Sequence, residues 1–397
     1  MKSFLLFLIL CTNMLFLTGC WDRTELNDLA LVEGVGIDTT QDKMIELTVQ
    51  LSIPKAFGGG QGMGGGGGGG GEGRQTLSRS GKGRTIVDAL AILQEKLPRK
   101  VFWGHAKAIV IGEKLAKQGV RDELEFFASH PQPRPKSYVF VSKGSAKDVL
   151  ALLPPLERSS AEVLRELAKS QILMKVTFIE FMDMLSGDAG AAALPMIDVL
   201  PPEKGQKQLQ TIAYINRTAI FKKDKMIGEI DDAVTRGVLW LRNEIKQANI
   251  TVTPKDAEGG ISALMIRSRT ELIPHIDDGK WKLTVKAVSE DDVILNASRW
   301  NLLNPNFIGM LEKELEKDLD NRMELALQKV QKEKNADILG FAEAFHRTYP
   351  QEWKKVKDRW DEIFPQVEVT FDTQVRVRRP GKASTPQGIP EKEVKKK

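Results

Sequence analysis

The residues Leu17-Thr18-Gly19-Cys20, closing an apolar run that begins at Phe4, limit the chemistry with which the rest of this chain can hold a fold together. Lys2, then the apolar stretch, then two small residues before a cysteine is the order of an export signal with its cleavage site. The pattern is that of a bacterial lipobox, with Cys20 as the lipidation site. The run is shorter than the ~20 apolar residues of a membrane span and is interrupted by Thr12 and Asn13; an uncleaved anchor and an ordinary cleaved signal are the alternatives. Residues 1–19 are therefore expected to be removed, leaving Cys20 as the first residue, outside the cytoplasm and tied to a membrane by lipid. The only other cysteine, Cys11, lies in the removed segment. Without a thiol, disulfides, thiolate zinc sites and a cysteine nucleophile are excluded, and the core must be an ordinary apolar one. A chain of 397 residues with 41% hydrophobic content can build it, as two or three domains.

The formal charge of +5 is small for this length, and lysines and arginines are interleaved with acids, which disfavours nucleic acid as a partner. The end of the chain, residues 381–397, is locally basic and reads as a solvated tail, with lipid headgroups as the alternative contact.

Two β-type runs, Leu29 to Asp38 and Met44 to Ile53, read as a hairpin. From Gly58 to Gly73, thirteen of sixteen residues are glycine; with no side chains to bury, the tract is expected to be a mobile loop. A phosphate-binding loop is disfavoured, since the tract does not lead into a lysine-hydroxyl pair, and Gly81-Lys82-Gly83-Arg84-Thr85 is only superficially similar to one. Ile86, Leu90, Leu93 and Leu97 recur at helical spacing up to Pro98, and helices and strands then alternate to about Leu200. Residues 20–200 thus predict an N-terminal α/β domain. Pro201-Pro202-Glu203-Lys204-Gly205 marks a boundary. Residues 201–248 follow as a small middle unit: a hairpin around Lys222-Lys223-Asp224-Lys225, and a helix whose acidic entry Asp231-Asp232 suits a helix N-terminus.

Residues 249–380 carry three long β-type runs, Ile261 to His275, Lys280 to Asp292 and Val367 to Arg378, with a helical insert between the second and third. Phe307, Leu311, Leu315, Leu319, Met323, Leu327 and Val330 make one apolar stripe along that insert, which either covers a face of the sheet or docks a partner protein. The predicted class is α+β: three mixed α/β domains, the last an antiparallel sheet covered by long helices.

The chain holds four histidines, His105, His130, His275 and His346, with no HExxH pair and no second histidine at ligand spacing, and no G-x-S-x-G elbow presents a serine. The sequence predicts no enzyme: no catalytic, metal-binding or cofactor-binding residue, and it designates no ligand-binding residue. His105 reads as a buried hydrogen-bonding residue, His346 as a packing or capping one, and Arg236 with Gly237 as setting a helix turn. An extracytoplasmic solute-binding lipoprotein delivering a nutrient to a transporter is the alternative, although no internal duplication into two lobes is visible.

The chain resembles the Ger(x)C family, the lipoprotein C subunits of bacterial spore germinant receptors. At the front the likeness rests on Gly19-Cys20-Trp21-Asp22-Arg23, Glu25-Leu26-Asn27-Asp28-Leu29-Ala30 and Gly34-Val35-Gly36-Ile37-Asp38. It continues in Thr235-Arg236-Gly237-Val238-Leu239-Trp240, Phe341-Ala342-Glu343-Ala344-Phe345-His346-Arg347, Tyr349-Pro350, Trp353 and Trp360-Asp361-Glu362-Ile363-Phe364-Pro365. The resemblance implies three α/β domains and a non-enzymatic subunit, lipid-anchored on the outer face of the spore inner membrane. It also implies assembly with the A-type and B-type integral membrane subunits of the receptor, and a response to nutrients.

Overall fold

The computed structural model describes residues 25–53, 75–379 and 383–395. Cys20 and the glycine tract from 58 to 73 lie outside the described residues. The first sheet opens with β1 (Leu29–Thr39) and β2 (Ile45–Ser52), an antiparallel hairpin whose strands bury apolar residues such as Val35, Ile37, Leu47 and Val49. β3 (Thr76–Gly83) adds an edge beside β2, and α1 (Ile86–Glu95), capped by the Thr85 hydroxyl, lies across it. A side chain at Gly81 would sit 2.1 Å from the Ala89 carbonyl oxygen, so only glycine lets α1 approach this strand.

β4 (Lys100–Phe102) and β5 (Ala108–Gly112) both run parallel to β1. After α2 (Glu113–Gln118) and α3 (Arg121–Ser129) comes β6 (Tyr138–Ser142), then α4 (Ala146–Leu150), α5 (Ser160–Ser170) and α6 (Phe178–Ser186), and β7 (Ala191–Val199). Parallel neighbours need crossovers, and these helices supply them on both faces of the sheet. β8 (Ala213–Lys222) and β9 (Lys225–Asp231) finish the path β3-β2-β1-β5-β6-β7-β8-β9.

The hairpin expected as a small middle unit is thus part of the first sheet, paired through Ala191↔Lys222 to Val199↔Ala213. The reason is physical: β7 buries Ala191 to Ile197 completely, and as a sheet edge it would leave apolar backbone unpaired. α7 (Asp232–Leu241) follows directly, its N-terminus capped by the Asp231 carboxylate on the Val234 amide at 2.9 Å.

The second sheet has the order β10-β11-β12-β13, from β10 (Asn249–Val252), β11 (Ile261–Asp277), β12 (Lys280–Asn296) and β13 (Glu368–Arg379). Its first three strands are antiparallel as expected, but β13 joins β12 in parallel, which makes the sheet mixed. The helical insert is a crossover that carries the chain back to the end where β12 began. That insert is α8 (Pro305–Leu327), its last turn widened to π-helix over Gln328–Lys334, then α9 (Phe341–Thr348), α10 (Pro350–Val356) and α11 (Trp360–Ile363).

Every residue of the predicted stripe from Phe307 to Val330 is buried, packed on α7, β10 and β13, so the stripe covers the sheet and is not free to dock a partner. α8 also closes the open edge of β13: Glu316 and Glu312 accept the Val375 and Val377 amides at 3.2 and 2.9 Å, and Asp320 accepts the Thr373 hydroxyl at 2.5 Å. Carboxylates thus occupy the amides that an edge strand would otherwise offer to another chain.

The C-terminal residues differ from the solvated tail expected. Leu302 N donates to Ser384 O at 2.7 Å, and Lys395 N donates to Arg299 O at 2.7 Å. Lys395 Nζ reaches Asp256 O at 2.6 Å and pairs with Glu258. The backbone groups of the 299–302 loop and the acid of 258 give the tail partners that the sequence around it does not advertise.

The sheets meet where α7 crosses α8. A Cβ on Gly237 would fall 2.2 Å from the Arg322 carbonyl oxygen and 2.8 Å from the Ala326 methyl. At an uncrowded helical position Gly→Ala gains up to ~1 kcal/mol of helix propensity. Gly237→Ala is expected to do the opposite, losing about 1–3 kcal/mol as the helices are forced apart. Urea unfolding measures the sign directly, and a stabilised variant would show that the crossing is not tight.

A second constraint is Asp337, buried before α9. Its carboxylate accepts the amides of Leu339, Gly340 and Phe341 at 3.2 Å each and of Ala342 at 2.7 Å, and the Trp360 indole N–H at 3.0 Å. Burial holds its carboxyl above the usual range, and these donors oppose that shift. Asp337→Asn turns an NH₂ toward buried donors and is expected to cost about 2–4 kcal/mol. Trp360 should become more solvent-exposed, and unchanged tryptophan emission with an unchanged urea midpoint would contradict this role.

Candidate functional site

The sequence motifs shared with the Ger(x)C pattern fall into two roles once placed in the fold. Asp38, at the end of β1, accepts Ala146 N at 2.8 Å, Lys147 N at 2.9 Å and the Ser145 hydroxyl at 3.1 Å, so it caps α4 from another element. Burial pushes its carboxyl up, against the pull of the two amides. Thr235 donates its hydroxyl to Asp231 O at 2.7 Å, the Thr218 hydroxyl lies 2.9 Å from it, and Gly237 is the helix crossing. Arg236 pairs with Asp232 one turn earlier at 3.1 Å. These groups serve the scaffold.

The second role is at a cleft of about 700 Å³ between the two sheets. One wall is the end of α6 and the turn after it, with Asp183 and Asp188. The floor is the end of α7, with Arg242, Asn243 and Glu244, and Thr270 of β11. The other wall is the segment from Asp337 to Arg347. Arg242 stitches the walls: it donates to Glu244 at 2.7 Å, to Ile338 O at 2.8 Å, and lies 3.6 Å from Met184 Sδ.

His346 Nδ1 stands 2.5 Å from Asp188 Oδ2, bridging α9 to the turn after α6 across the sheets' junction. The same ring stacks on Trp353, 5.8 Å between centroids and 20° from parallel. His346 therefore packs, as expected, and is also held by an acid that lies 158 residues away in sequence. Partial desolvation, then the nearby acids Asp337 and Asp188, pushes the Glu343 carboxyl up, although the residue reaches solvent. The Thr270 hydroxyl is buried without a hydrogen-bond partner, while Ser186 is committed to Met182 O at 2.8 Å. The cleft gathers charges of both signs without pairing a nucleophile to a base.

His105 is exposed in the turn before β5, not buried as expected. Its neighbour Trp103 takes the interior place, edge-on to Phe127 at 5.9 Å, and this leaves the imidazole outside. His105 and His346 do not form a pair, and among the described residues no three or more His, Cys, Asp or Glu side chains are arranged to hold a metal ion. Sequence reasoning missed Asp188, whose partner His346 is 158 residues away, and Arg242, which reaches Ile338, as well as Thr270 and Asp337. Only Asp337 has a local signal, an acid shortly before a helix.

Comparison with known proteins accounts for both halves of this arrangement. The family model described as the spore germination protein N-terminal domain matches residues 22–199, and the model described as spore germination B3/GerAC-like, C-terminal, matches residues 216–381. Spore germination protein KC of Bacillus subtilis strain 168 is 26% identical, over 97% of this chain and 98% of its own length. Putative spore germination protein YfkR of the same organism is 29% identical over 94% and 95%. Spore germination protein GerQC of Bacillus cereus is 24% identical over 96% and 99%. The crystal structure of the GerBC protein shares the fold, with a TM-score of 0.57 at 21% identity, covering 90% of this chain and 100% of that one. With both halves matched in order along nearly the whole length, the chain belongs to the Ger(x)C family of spore germination proteins.

Proposed function

We propose that this chain is the lipid-anchored C subunit of a spore germinant receptor, a non-catalytic component that supports nutrient-triggered germination by assembling with the A-type and B-type membrane subunits. The observation that carries the reading is the ordered match to both family models in a chain whose N-terminus bears the lipobox at Cys20. Among the described residues no helix is long and apolar enough to cross a membrane, so attachment falls to the lipid. A single acyl chain holds a protein only marginally, whereas the diacylglyceryl group of a lipoprotein, at ~0.8 kcal/mol per buried methylene, holds it durably. The subunit then sits on the outer face of the spore inner membrane with its two sheets outside the bilayer. The buried acids Asp38 and Asp337 are bound to helix amides and so serve the scaffold.

Cys20→Ala is the test. The variant should lose lipid labelling, keep its signal segment or leave the membrane fraction, and no longer be recovered with the membrane subunits. Normal labelling of that variant would refute the anchor. Normal lipid labelling of the native chain with no membrane subunit recovered alongside it would refute the receptor assembly.

A further inference from the structure

The second sheet has one face under α8 and one face open. Register across β11, β12 and β13 sets residues of the open face in rows: Arg267 with Glu290 and Arg376, then Arg269 with Val288 and Gln374, then Glu271 with Lys286 and Asp372. Neighbouring strands stand ~4.8 Å apart, and successive outward residues of one strand about 7 Å apart. Arg378 follows Arg376 on the same side and lies 3.3 Å from Glu290. Arg267, Arg269, Arg376 and Arg378 are all exposed; the acids among them are Glu290 and, next on the same side of β12, Asp292. Glu290 accepts from Arg267 at 2.6 Å and is held below the usual carboxylate range chiefly by Arg267, with Arg378 and Arg376 adding to the effect. Two carboxylates, Glu290 and Asp292, among four guanidiniums leave two positive charges unmatched at this end of the sheet.

We propose that this arginine end of the open sheet face seats the protein on an anionic bilayer surface, its guanidiniums binding lipid phosphates. The proposal rests on the membrane placement given above. Guanidinium forks match phosphate oxygens two at a time, and a spread over three strands suits a field of headgroups better than a single ion. A protein partner fits this surface less well. Protein interfaces centre on aromatic or large apolar anchors seated in pockets; the residues between these arginines are Val288, Gln374 and Glu290 on a flat sheet, and the exposed aliphatics Ile266, Ile294 and Leu295 lie beyond the Arg267-Glu290-Arg376 row.

The test uses the mature chain without lipid, so its outcome does not depend on Cys20. Vesicles of equal parts phosphatidylglycerol and phosphatidylcholine should sediment the chain, vesicles of phosphatidylcholine alone should not, and high salt should release it. With about fivefold in affinity per arginine near the surface, the combined Arg267→Gln, Arg269→Gln and Arg376→Gln variant should bind about a hundredfold more weakly. Lys354→Gln, Lys355→Gln and Lys357→Gln together make the same change of charge on exposed positions elsewhere, and should bind as the native chain does. The single Arg269→Gln variant, which leaves the Glu290 contacts intact, should still lose about fivefold and so covers any misfolding of the triple variant. Equal binding to both vesicle types, or equal losses in the arginine and lysine variants, would overturn the proposal. So would arginine variants that keep vesicle binding but no longer recover the membrane subunits, which would make the face a protein contact.

Discussion

The crossing of α7 on α8 is the contact on which the rest of the structure depends. α7 continues the last strand of the first sheet, and α8 covers the second, so this one helix pair determines how the sheets meet. Gly237 brings the two backbones together, and the apolar stripe from Phe307 to Val330 fills the space on the other side. At roughly 2 kcal/mol for each large apolar side chain removed from water, the stripe is a major part of the core. The cleft exists because of that crossing. α7 ends in Arg242 and Asn243 between the sheets, and the loop before α9 closes over them.

Carboxylates support this arrangement at three points, two of them, Asp38 and Asp337, buried. Asp38 caps α4, Asp231 caps α7 and Asp337 caps α9, each accepting amides that a helix start leaves unsatisfied. Glu312 and Glu316 do the analogous task for the edge of β13. An acid buried in the fold is costly unless donors surround it; Asp231 caps its own helix, whereas Glu312 and Glu316 tie α8 to a strand about sixty residues on. Asp38 reaches a helix start 108 residues on, and Asp337 adds the Trp360 indole to the amides of the helix it precedes.

How much of this was legible in the sequence follows from how local each interaction is. The stripe of α8 was legible because its period of 3.6 is written in consecutive residues, and so was the acidic cap of α7. The parallel entry of β13 was not, since a strand's own pattern carries no sign of its partner's direction. β7 reads as Ala-Ala-Ala-Leu-Pro, with no alternation, because it is buried on both faces between β6 and β8. That same burial drew the following hairpin into the first sheet and removed the separate middle unit from the fold. The cleft was illegible for a related reason: His346 and Asp188, or Arg242 and Ile338, are adjacent only after both sheets have formed.

Groups that the scaffold uses and groups it leaves free are separated in space, and this separation bears on function. The buried acids Asp38 and Asp337 are bound to amides, and Arg242 in the cleft is stitched to its walls. The outward arginines of β11 and β13 exceed the acids beside them, and no element described here lies over them. In a chain held at a membrane by lipid, rotation about the tether is otherwise unrestricted. A charged face of fixed geometry would limit that rotation and present the remaining surfaces in a defined orientation to subunits in the bilayer. The close crossing at Gly237 would then couple an orientation set at one sheet to the surfaces of the other.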